Sequence, residues 1–434
     1  MSNHSSCFAV VGNPILHSKS PQIYRQLFNQ LGFEANYFRI AAETLEEAFE
    51  LAYEMKISGL NITSPFKRQA TRFTDALSET ASLLSAVNTV TFSDLRTGHN
   101  TDALGVQLAF AKAGITPRKA VVLGAGGAGA AAALALQQLG ANVTLLNRSV
   151  ENARATAAAL KIKSASLLDF SELASEADTI ISCLPCEVEL DFGSVITTKH
   201  VVLDANYGTR SRLIEIAVEK GARVIYGFDW LKFQAIEAAK LFTQNASPLD
   251  DSFLCGLDLQ TIANPDRPIV LIGMMGSGKS SVVKELGEML SIKAFDCDRS
   301  IEQERDSSIT EIFRNHGEEA FRELEARCVQ EALENEQLIA IGGGALISKE
   351  TRELLKHKAV CIWLWANAAN LSKRVACGEQ RPLLQGTSIE DRISELLENR
   401  FGHYAECAEL VVNCNRRSAT EIARMIHHEI CKAK

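Results

Sequence analysis

Nothing in the sequence reads as a membrane-spanning or exported segment. The apolar stretch over residues 120–136 is broken by four glycines and dominated by alanine, too short and too weakly apolar to cross a bilayer. The N-terminus has no basic n-region, and Pro14 soon interrupts its apolar run, so no secretory leader is read. Regular cysteine spacing is missing too. The 11 cysteines are scattered singly over 434 residues, which excludes a disulfide framework and suits buried thiols in a reducing, cytoplasmic setting. The exception, Cys183-Leu184-Pro185-Cys186, follows a strand-like run, whereas a redox pair would open a helix; no second Cys/His pair has metal-ligand spacing. Positive charge is also in deficit. A formal net charge of −8 argues against nucleic acid or an anionic membrane as partner, though not against a small anion in a local basic pocket. No internal repeat is visible.

What is present begins with Ile269-Val270-Leu271-Ile272-Gly273-Met274-Met275-Gly276-Ser277-Gly278-Lys279-Ser280-Ser281. A short apolar strand, then Gly-x-x-x-x-Gly-Lys-Ser, then a helix-forming run is the context a P-loop requires. The glycines let successive N–H groups curl inward at a phosphate, and the helix N-terminus adds a favourable dipole. Lys279 can reach the β- and γ-phosphates and the Ser280 hydroxyl can ligate Mg²⁺. Downstream, Asp296-Cys297-Asp298 places two carboxylates beyond a predicted strand over 293–295, one for Mg²⁺ and one for a substrate hydroxyl. A helix predicted over 318–333 carries Arg322 and Glu325 on one face. A buried strand over 338–341 opens onto Gly342-Gly343-Gly344, where bare backbone can approach a ligand. The charged stretch around Arg381 reads as a lid, and Arg400, on a helix predicted over 389–401, adds one more cation.

The first half alternates strand and helix patterns. A strand over 8–12 enters Gly12-Asn13-Pro14-Ile15-Leu16-His17-Ser18-Lys19-Ser20-Pro21, which presents two hydroxyls two residues apart. Helix 45–56 and strand 59–63 lead into Thr63-Ser64-Pro65-Phe66-Lys67. Asn88-Thr89 and Asn100-Thr101-Asp102 follow, and a βαβ layout gathers such fragments at the carboxyl edge of one sheet. Strand 120–123 then runs into Gly124-Ala125-Gly126-Gly127-Ala128-Gly129 and an alanine-rich helix, a G-x-G-x-x-G in dinucleotide-binding context. The next strand, 142–146, ends in Asn147-Arg148-Ser149 where an NAD site carries a carboxylate. Arg148 instead suits a 2′-phosphate, so NADP is expected over NAD. Strands over 179–182, 201–204 and 223–226 and an amphipathic helix over 231–243 complete this half.

Taken together, residues 1 to about 250 resemble shikimate dehydrogenase, and residues from about 266 onward resemble shikimate kinase. The motifs Gly12-Asn13-Pro14, Ser18-Lys19-Ser20-Pro21, Asn61-Ile62-Thr63 with Pro65 and Lys67, Asn88-Thr89 and Asn100-Thr101-Asp102 match the dehydrogenase family in order and spacing. The resemblance implies an α/β chain: an N-terminal α/β substrate lobe over 1–103, completed by helices at about 231–246; a Rossmann NADP-binding lobe over 104–230; a linker over 247–267; and a P-loop NTPase-type parallel α/β kinase domain over 268–434. By the same resemblance Ser18, Ser20, Thr63, Asn88, Tyr207 and Gln234 hold shikimate's carboxylate and hydroxyls, and Lys67 with Asp102 is the catalytic pair. Gly124, Ala125, Gly126, Gly127, Ala128, Asn147, Arg148, Ser149 and Gly227 contact the dinucleotide. Gly276, Ser277, Gly278, Lys279, Ser280 and Ser281 cradle ATP; Ser280 and Asp296 form the Mg²⁺ side; Asp298, Arg322, Gly342, Gly343, Gly344 and Arg400 meet shikimate; and Arg381 is the lid arginine. The sequence departs from the family at Asn152, where a basic residue is usual, at Asp229 in place of glycine, and at Gly402 in place of proline.

The chemistry implied is NADPH-dependent reduction of 3-dehydroshikimate to shikimate, then ATP-dependent phosphorylation to shikimate 3-phosphate, within aromatic amino acid biosynthesis. Quinate remains an alternative first substrate, since it differs by one C1 hydroxyl; the Ser18/Ser20 pair favours shikimate. A nucleotide sensor with dead sites, or a scaffold, would have lost Lys67, Asp102, Lys279 or Asp298, and all are present. The connection over 243–268 is rich in turn residues and poor in apolar patterning, so the two halves are expected to move independently.

Overall fold

Runs of Val, Ile and Leu without polar interruption become strands covered on both faces, as parallel α/β sheets require. The computed structural model describes residues 6–185, 188–207, 211–245, 252, 267–376 and 388–433. The chain forms two compact units. The first gathers Met1–Pro21, Glu34–Ile57 and Leu259–Lys434, and the second Gln22–Phe33 and Ser58–Asp258. Among the described residues no helix is long and apolar enough to cross a membrane.

Within the first unit the strands lie in the order Ala294–Asp296, Leu338–Ala340, Ile269–Ile272, Val360–Trp365, Leu410–Asn413, Ala35–Ala41, Ser6–Gly12, and every neighbouring pair is parallel. All six residues of Val360–Trp365 are buried. The P-loop follows Ile269–Ile272 and feeds helix Lys279–Leu290, against which the C-terminal helix Ala419–Ala433 packs.

The strand order corrects the expectation of two freely moving halves. Leu410, Val411 and Val412 pair in register with Arg39, Ile40 and Ala41, so N-terminal strands continue the sheet that carries the P-loop. Side chains reinforce the seam. Arg39 has no exposed surface and its Nη1 donates to Glu409 Oε2 at 2.8 Å. Arg417 pairs with Glu47 and, at 3.0 Å, with Glu43. Both carboxylate oxygens of Glu54 accept from Asn367 and Asn415, and Phe38 meets Trp363 edge-on. The composition of a linker says nothing about strand edges: an unpaired edge presents a full row of backbone donors and acceptors whatever its side chains.

In the second unit a parallel sheet runs Arg223–Ile225, Val201–Asp204, Thr179–Ser182, Lys119–Leu123, Asn142–Asn147, Lys163–Ser166. Its two faces are covered by separate apolar clusters, one filled by the alanines of helix Gly127–Gln138. Four further strands of this unit lie in the order Gly59–Ile62, Thr89–Phe92, Arg96–His99, Ala76–Leu77. Helix Gly227–Thr243 crosses helix Asp102–Lys112 closely: a Cβ on Gly105 would lie 2.9 Å from Gln234 Cβ and 3.0 Å from Trp230.

Several boundaries differ from expectation. The helix expected at 231 begins at Gly227, because Tyr226 is already extended. The helix expected at 318 belongs to Ile309–Asn335, interrupted at Gly317, whose φ of 82° only glycine adopts readily. The Arg400 helix runs on to Cys407 through Gly402, so Arg400 is mid-helix rather than at an end. A Cβ at Gly402 would meet nothing within 4 Å, so no close contact requires glycine there.

Removing one partner of a buried ion pair strands the other. Arg39→Ala is therefore expected to destabilise the first unit by about 3–5 kcal/mol, read as a lower urea midpoint for its unfolding transition. An unchanged midpoint would show that the seam contributes nothing.

Candidate active sites

In the second unit Lys67, from a turn, and Asp102, from the start of a helix, meet at 2.6 Å, Nζ to Oδ2. Asp102 is the first residue of helix Asp102–Lys112 and is buried, so its carboxylate sits at the positive end of the helix dipole. Its second oxygen accepts from Asn88 Nδ2 at 3.0 Å, its backbone N–H donates to Asn100 Oδ1 at 3.1 Å, and its carbonyl accepts from Trp230 Nε1 at 2.9 Å. The Asn88 amide nitrogen also lies 2.9 Å from Thr101 Oγ1 and 3.1 Å from Gln234 Oε1. Thr101 returns its own N–H to Asn88 Oδ1 at 2.9 Å. Every polar atom that orients the pair is thus itself held.

The glycine loop lies beside it: a Cβ on Gly127 would meet Lys67 Cδ at 3.4 Å. Helix Gly127–Gln138 has no side-chain cap and no acidic residue in its first turn, so its leading N–H groups suit an anion. A Cβ on Gly126 would meet nothing within 4 Å, leaving the approach to that terminus open. Gly124, at φ 100°, turns the chain, and its N–H donates to Leu146 at 2.7 Å. Asn147 Oδ1 accepts from Ala125 N at 3.3 Å, and Ser149 caps the next helix. Arg148 is exposed, as a residue awaiting a 2′-phosphate can be. These residues fit a pyrophosphate and a phosphorylated ribose.

Asp229, the departure from glycine, stands in the first turn of helix Gly227–Thr243 and pairs with the buried Lys232 at 2.8 Å, so its charge is balanced locally. Gly227 itself is required, since a Cβ there would lie 2.3 Å from Asp204 O. Thr63 and Tyr207 are half-buried in loops past their strands. Burial, and then Asp204, push the Cys183 thiol well above its ordinary range, which makes it a poor nucleophile; Cys186 lies outside the described residues. Ser18 and Ser20 belong to the first unit, buried and 3.1 Å apart, Oγ to Oγ.

The P-loop site is built wholly within the first unit. Gly273, Gly276 and Gly278 all have positive φ, and Lys279 Nζ donates to the carbonyls of Gly273 at 2.9 Å and Met274 at 3.1 Å. Ser277 is buried inside the loop and Ser280 and Ser281 open the helix, exposed. Asp296 caps helix Cys297–Arg305 through Oδ1, 3.1 Å from Asp298 N, while its buried Oδ2 has no hydrogen-bond partner among the described residues. A buried carboxylate oxygen without a donor fits a site completed by Mg²⁺ or its waters.

A cavity of about 370 Å³ adjoins it, lined by Asp298, Arg322, Glu325, Gly342 to Gly344 and Arg400 among others. The glycines are there for room. A Cβ on Gly342 would fall 2.2 Å from Glu325 Oε1 and 2.8 Å from Asp298 Oδ1, and one on Gly344 2.3 Å from Arg322 Nη1. Arg322 donates to Glu325 at 2.6 Å and to Glu318 at 2.9 Å. Burial pushes the Glu325 carboxyl up, against the pull of Arg322. Arg400 and Tyr404 both donate to Gly343 O, at 3.1 and 2.6 Å. Burial raises the Tyr404 phenol to about 12, so it stays a donor. Arg381 lies outside the described residues.

Comparison with known proteins decides between the families such sites serve. The family described as shikimate dehydrogenase substrate binding domain matches residues 10–90, the alanine dehydrogenase/PNT C-terminal domain matches 97–225, and shikimate kinase matches 275–431. A shikimate dehydrogenase (NADP(+)) of Natronomonas pharaonis is 37% identical over 56% of this chain and 95% of its own length. A shikimate kinase of Rhodopseudomonas palustris is 36% identical over 39% of this chain and 85% of its own. The crystal structure of shikimate 5-dehydrogenase from Thermus thermophilus, in complex with NADP(H) and shikimate, superposes with a TM-score of 0.52 at 30% identity, covering 57% of this chain and 97% of that one.

The chain belongs to the shikimate dehydrogenase family in its first part and to the shikimate kinase family in its last. It is a bifunctional enzyme of the shikimate pathway.

Sequence reading of the dehydrogenase part passed over Thr101 and Trp230, which hold Asn88 and Asp102. Thr101 stands inside the Asn-Thr-Asp run and was within reach; the Trp230 contact, 128 residues away, left no local signal. In the kinase part Tyr404 lies one helical turn beyond Arg400, a spacing that was legible.

Gly342→Ala forces the Glu325 and Asp298 carboxylates aside. It is expected to cut shikimate phosphorylation by about 10²-fold and to leave ketone reduction unchanged, with both rates measured on one preparation. Undiminished phosphorylation would show that the cavity tolerates the shift and is not the reacting site.

Proposed function

We propose that the two sites act in succession on one carbon of one small molecule, with the residues in the following roles. The observation that carries the reading is the 2.6 Å Lys67–Asp102 pair in a chain that also holds an intact P-loop lysine. Bound NADPH supplies hydride for the C3 ketone of 3-dehydroshikimate, and Mg·ATP supplies the phosphoryl group for the C3 hydroxyl so formed.

In the dehydrogenase site Lys67 Nζ gives the proton to the oxygen of the reduced ketone. Asp102 holds that ammonium in position and balances its charge, and Asn88 fixes the carboxylate so that it cannot turn away. Positioned proton transfer of this kind is typically worth about 10²–10⁴-fold. Ser18, Ser20, Thr63, Asn88, Tyr207 and Gln234 take the substrate's carboxylate and hydroxyls, a set supported by the family motifs. Gly124 to Ala128 receive the pyrophosphate, Arg148 and Ser149 the 2′-phosphate, and Gly227 stands near the nicotinamide.

In the kinase site Asp298 accepts the proton of the attacking hydroxyl, while Arg322 and Arg400 grip the carboxylate. Glu325 keeps Arg322 aimed into the cavity. Lys279 and Arg381 offset charge on the transferring group, with Ser280 and Asp296 on the Mg²⁺ side. The domain assignment follows: substrate lobe over 1–103 with 231–246, NADP lobe over 104–230, kinase over 268–434, joined through 247–267. We place the enzyme in the cytoplasm, a reading supported by cysteines that are all free among the described residues.

Lys67→Ala is expected to abolish ketone reduction and spare phosphorylation of supplied shikimate, and Lys279→Ala to do the reverse. Loss of both activities from a folded single variant overturns the two-site assignment. NADPH is expected to outperform NADH in kcat/KM, and Arg148→Asp to shrink or invert the ratio; equal use of both cofactors by the parent chain would refute the role of Arg148.

A further inference from the structure

Two backbone donors of the loop that presents Ser18 and Ser20 are answered from the kinase part. Ile15 and Leu16 are buried, and a buried backbone N–H must be answered by some acceptor. The acceptor is Glu429, on the C-terminal helix Ala419–Ala433 of the kinase part. One oxygen, Oε2, takes the N–H of Ile15 at 2.7 Å and of Leu16 at 2.8 Å. Two residues on, the carbonyl of Ser18 accepts from Arg39 Nε at 3.0 Å and from Nη2. That guanidinium is oriented from its other side by Glu409, through its carboxylate at 2.8 Å and its carbonyl at 3.1 Å. The loop closes on itself by Ser18 N to Ile15 O at 2.9 Å, and Ser20 N donates to Ser18 Oγ at 3.3 Å. A chain of hydrogen bonds therefore leads from two kinase carboxylates to the two hydroxyls.

We propose that Glu429 and Glu409 of the kinase part are positioning residues for the substrate loop of the dehydrogenase part, so that reduction depends on the presence and docking of the kinase. The inference rests on the reading that Ser18 and Ser20 hold the substrate. Neither glutamate touches substrate; each acts through the backbone of residues 15–18. Burial pushes the Glu429 carboxyl up while the two N–H bonds pull it down, and since a single oxygen accepts both, an amide oxygen can replace it.

The test is made on the full chain, following shikimate oxidation at the nicotinamide band beside a kinase assay. Glu429→Ala leaves two buried donors unanswered and is expected to raise KM for shikimate in the dehydrogenase reaction roughly tenfold or more. Its kcat, its KM for NADP⁺ and the kinase kcat/KM stay near the parent values. Glu429→Gln restores the parent KM, which a merely structural loss would not predict. If Glu429→Ala fails to fold, Glu429→Asp, which withdraws the oxygen by one methylene, carries the same expectation. An unchanged KM for shikimate in a folded Glu429→Ala or Glu429→Asp variant overturns the proposal, as does a fall shared equally by all parameters of both activities. Ser18→Ala separates the two ways of being wrong. If it too leaves KM for shikimate unchanged, the substrate-loop reading fails and the proposal with it; if it raises KM while the Glu429 variants do not, only the positioning role is lost.

Discussion

A guanidinium without exposed surface must have its donors answered, and Arg39 answers them with atoms from two ends of the chain. On one side stands the carbonyl of Ser18, on the other the carboxylate and carbonyl of Glu409. Desolvating that charge is expensive, and the pair is tolerable only because the geometry is complete. Completeness requires strand Leu410–Asn413 to lie beside Ala35–Ala41, in the register observed. Once that register is set, the kinase sheet has no free edge there, Arg417 reaches Glu47 and Glu43, and the C-terminal helix brings Glu429 under Ile15 and Leu16. One buried cation thus couples strand pairing, sheet continuity and the conformation of a loop far away in sequence.

The two reaction centres obey a common logic by different means. In the dehydrogenase part a lysine is aimed by an aspartate, which is fixed by an asparagine, which is fixed in turn by Thr101 and Gln234. In the kinase part Arg322 is aimed by Glu325, and room for both is made by glycines in the strand-end turn. Each of the two cations, Lys67 and Arg322, is held by a carboxylate, and that backing limits the freedom of long, flexible side chains. The kinase cavity contains two carboxylates close to bare backbone, which explains the run Gly342-Gly343-Gly344 more directly than any need for flexibility.

Much of this was legible in residue order. The P-loop, the G-x-G-x-x-G turn and the Asn-Thr-Asp run are local devices whose spacing mirrors the geometry they build, and each lies where its pattern implies. Arg148 at the end of its strand and the aspartates flanking Cys297 are of the same kind. Less legible were helix ends. The dehydrogenase helix starts at Gly227 because the chain leaves its last strand early, and the kinase helix through Arg400 continues past Gly402 because packing of Tyr404 against Trp363 outweighs a glycine's weak propensity.

By itself the sequence pointed to the two chemistries, since a strand–glycine–helix phosphate cradle is encoded in a short stretch and the motifs around Lys67 and Asp102 resemble those of a known family. It determined as well that both folds are parallel α/β, through apolar runs buried on both faces. What only the tertiary structure decided is how the N-terminal strands are shared. The connecting segment gave no hint, because backbone edges pair through N–H and C=O groups that every residue carries. The partners that make the pairing specific, Arg39 with Glu409 and Glu429 with Ile15 and Leu16, are 370 and more than 400 residues apart. At such separations an arginine or glutamate reads as one more solvated charge, and only packing reveals that it is buried and what it holds.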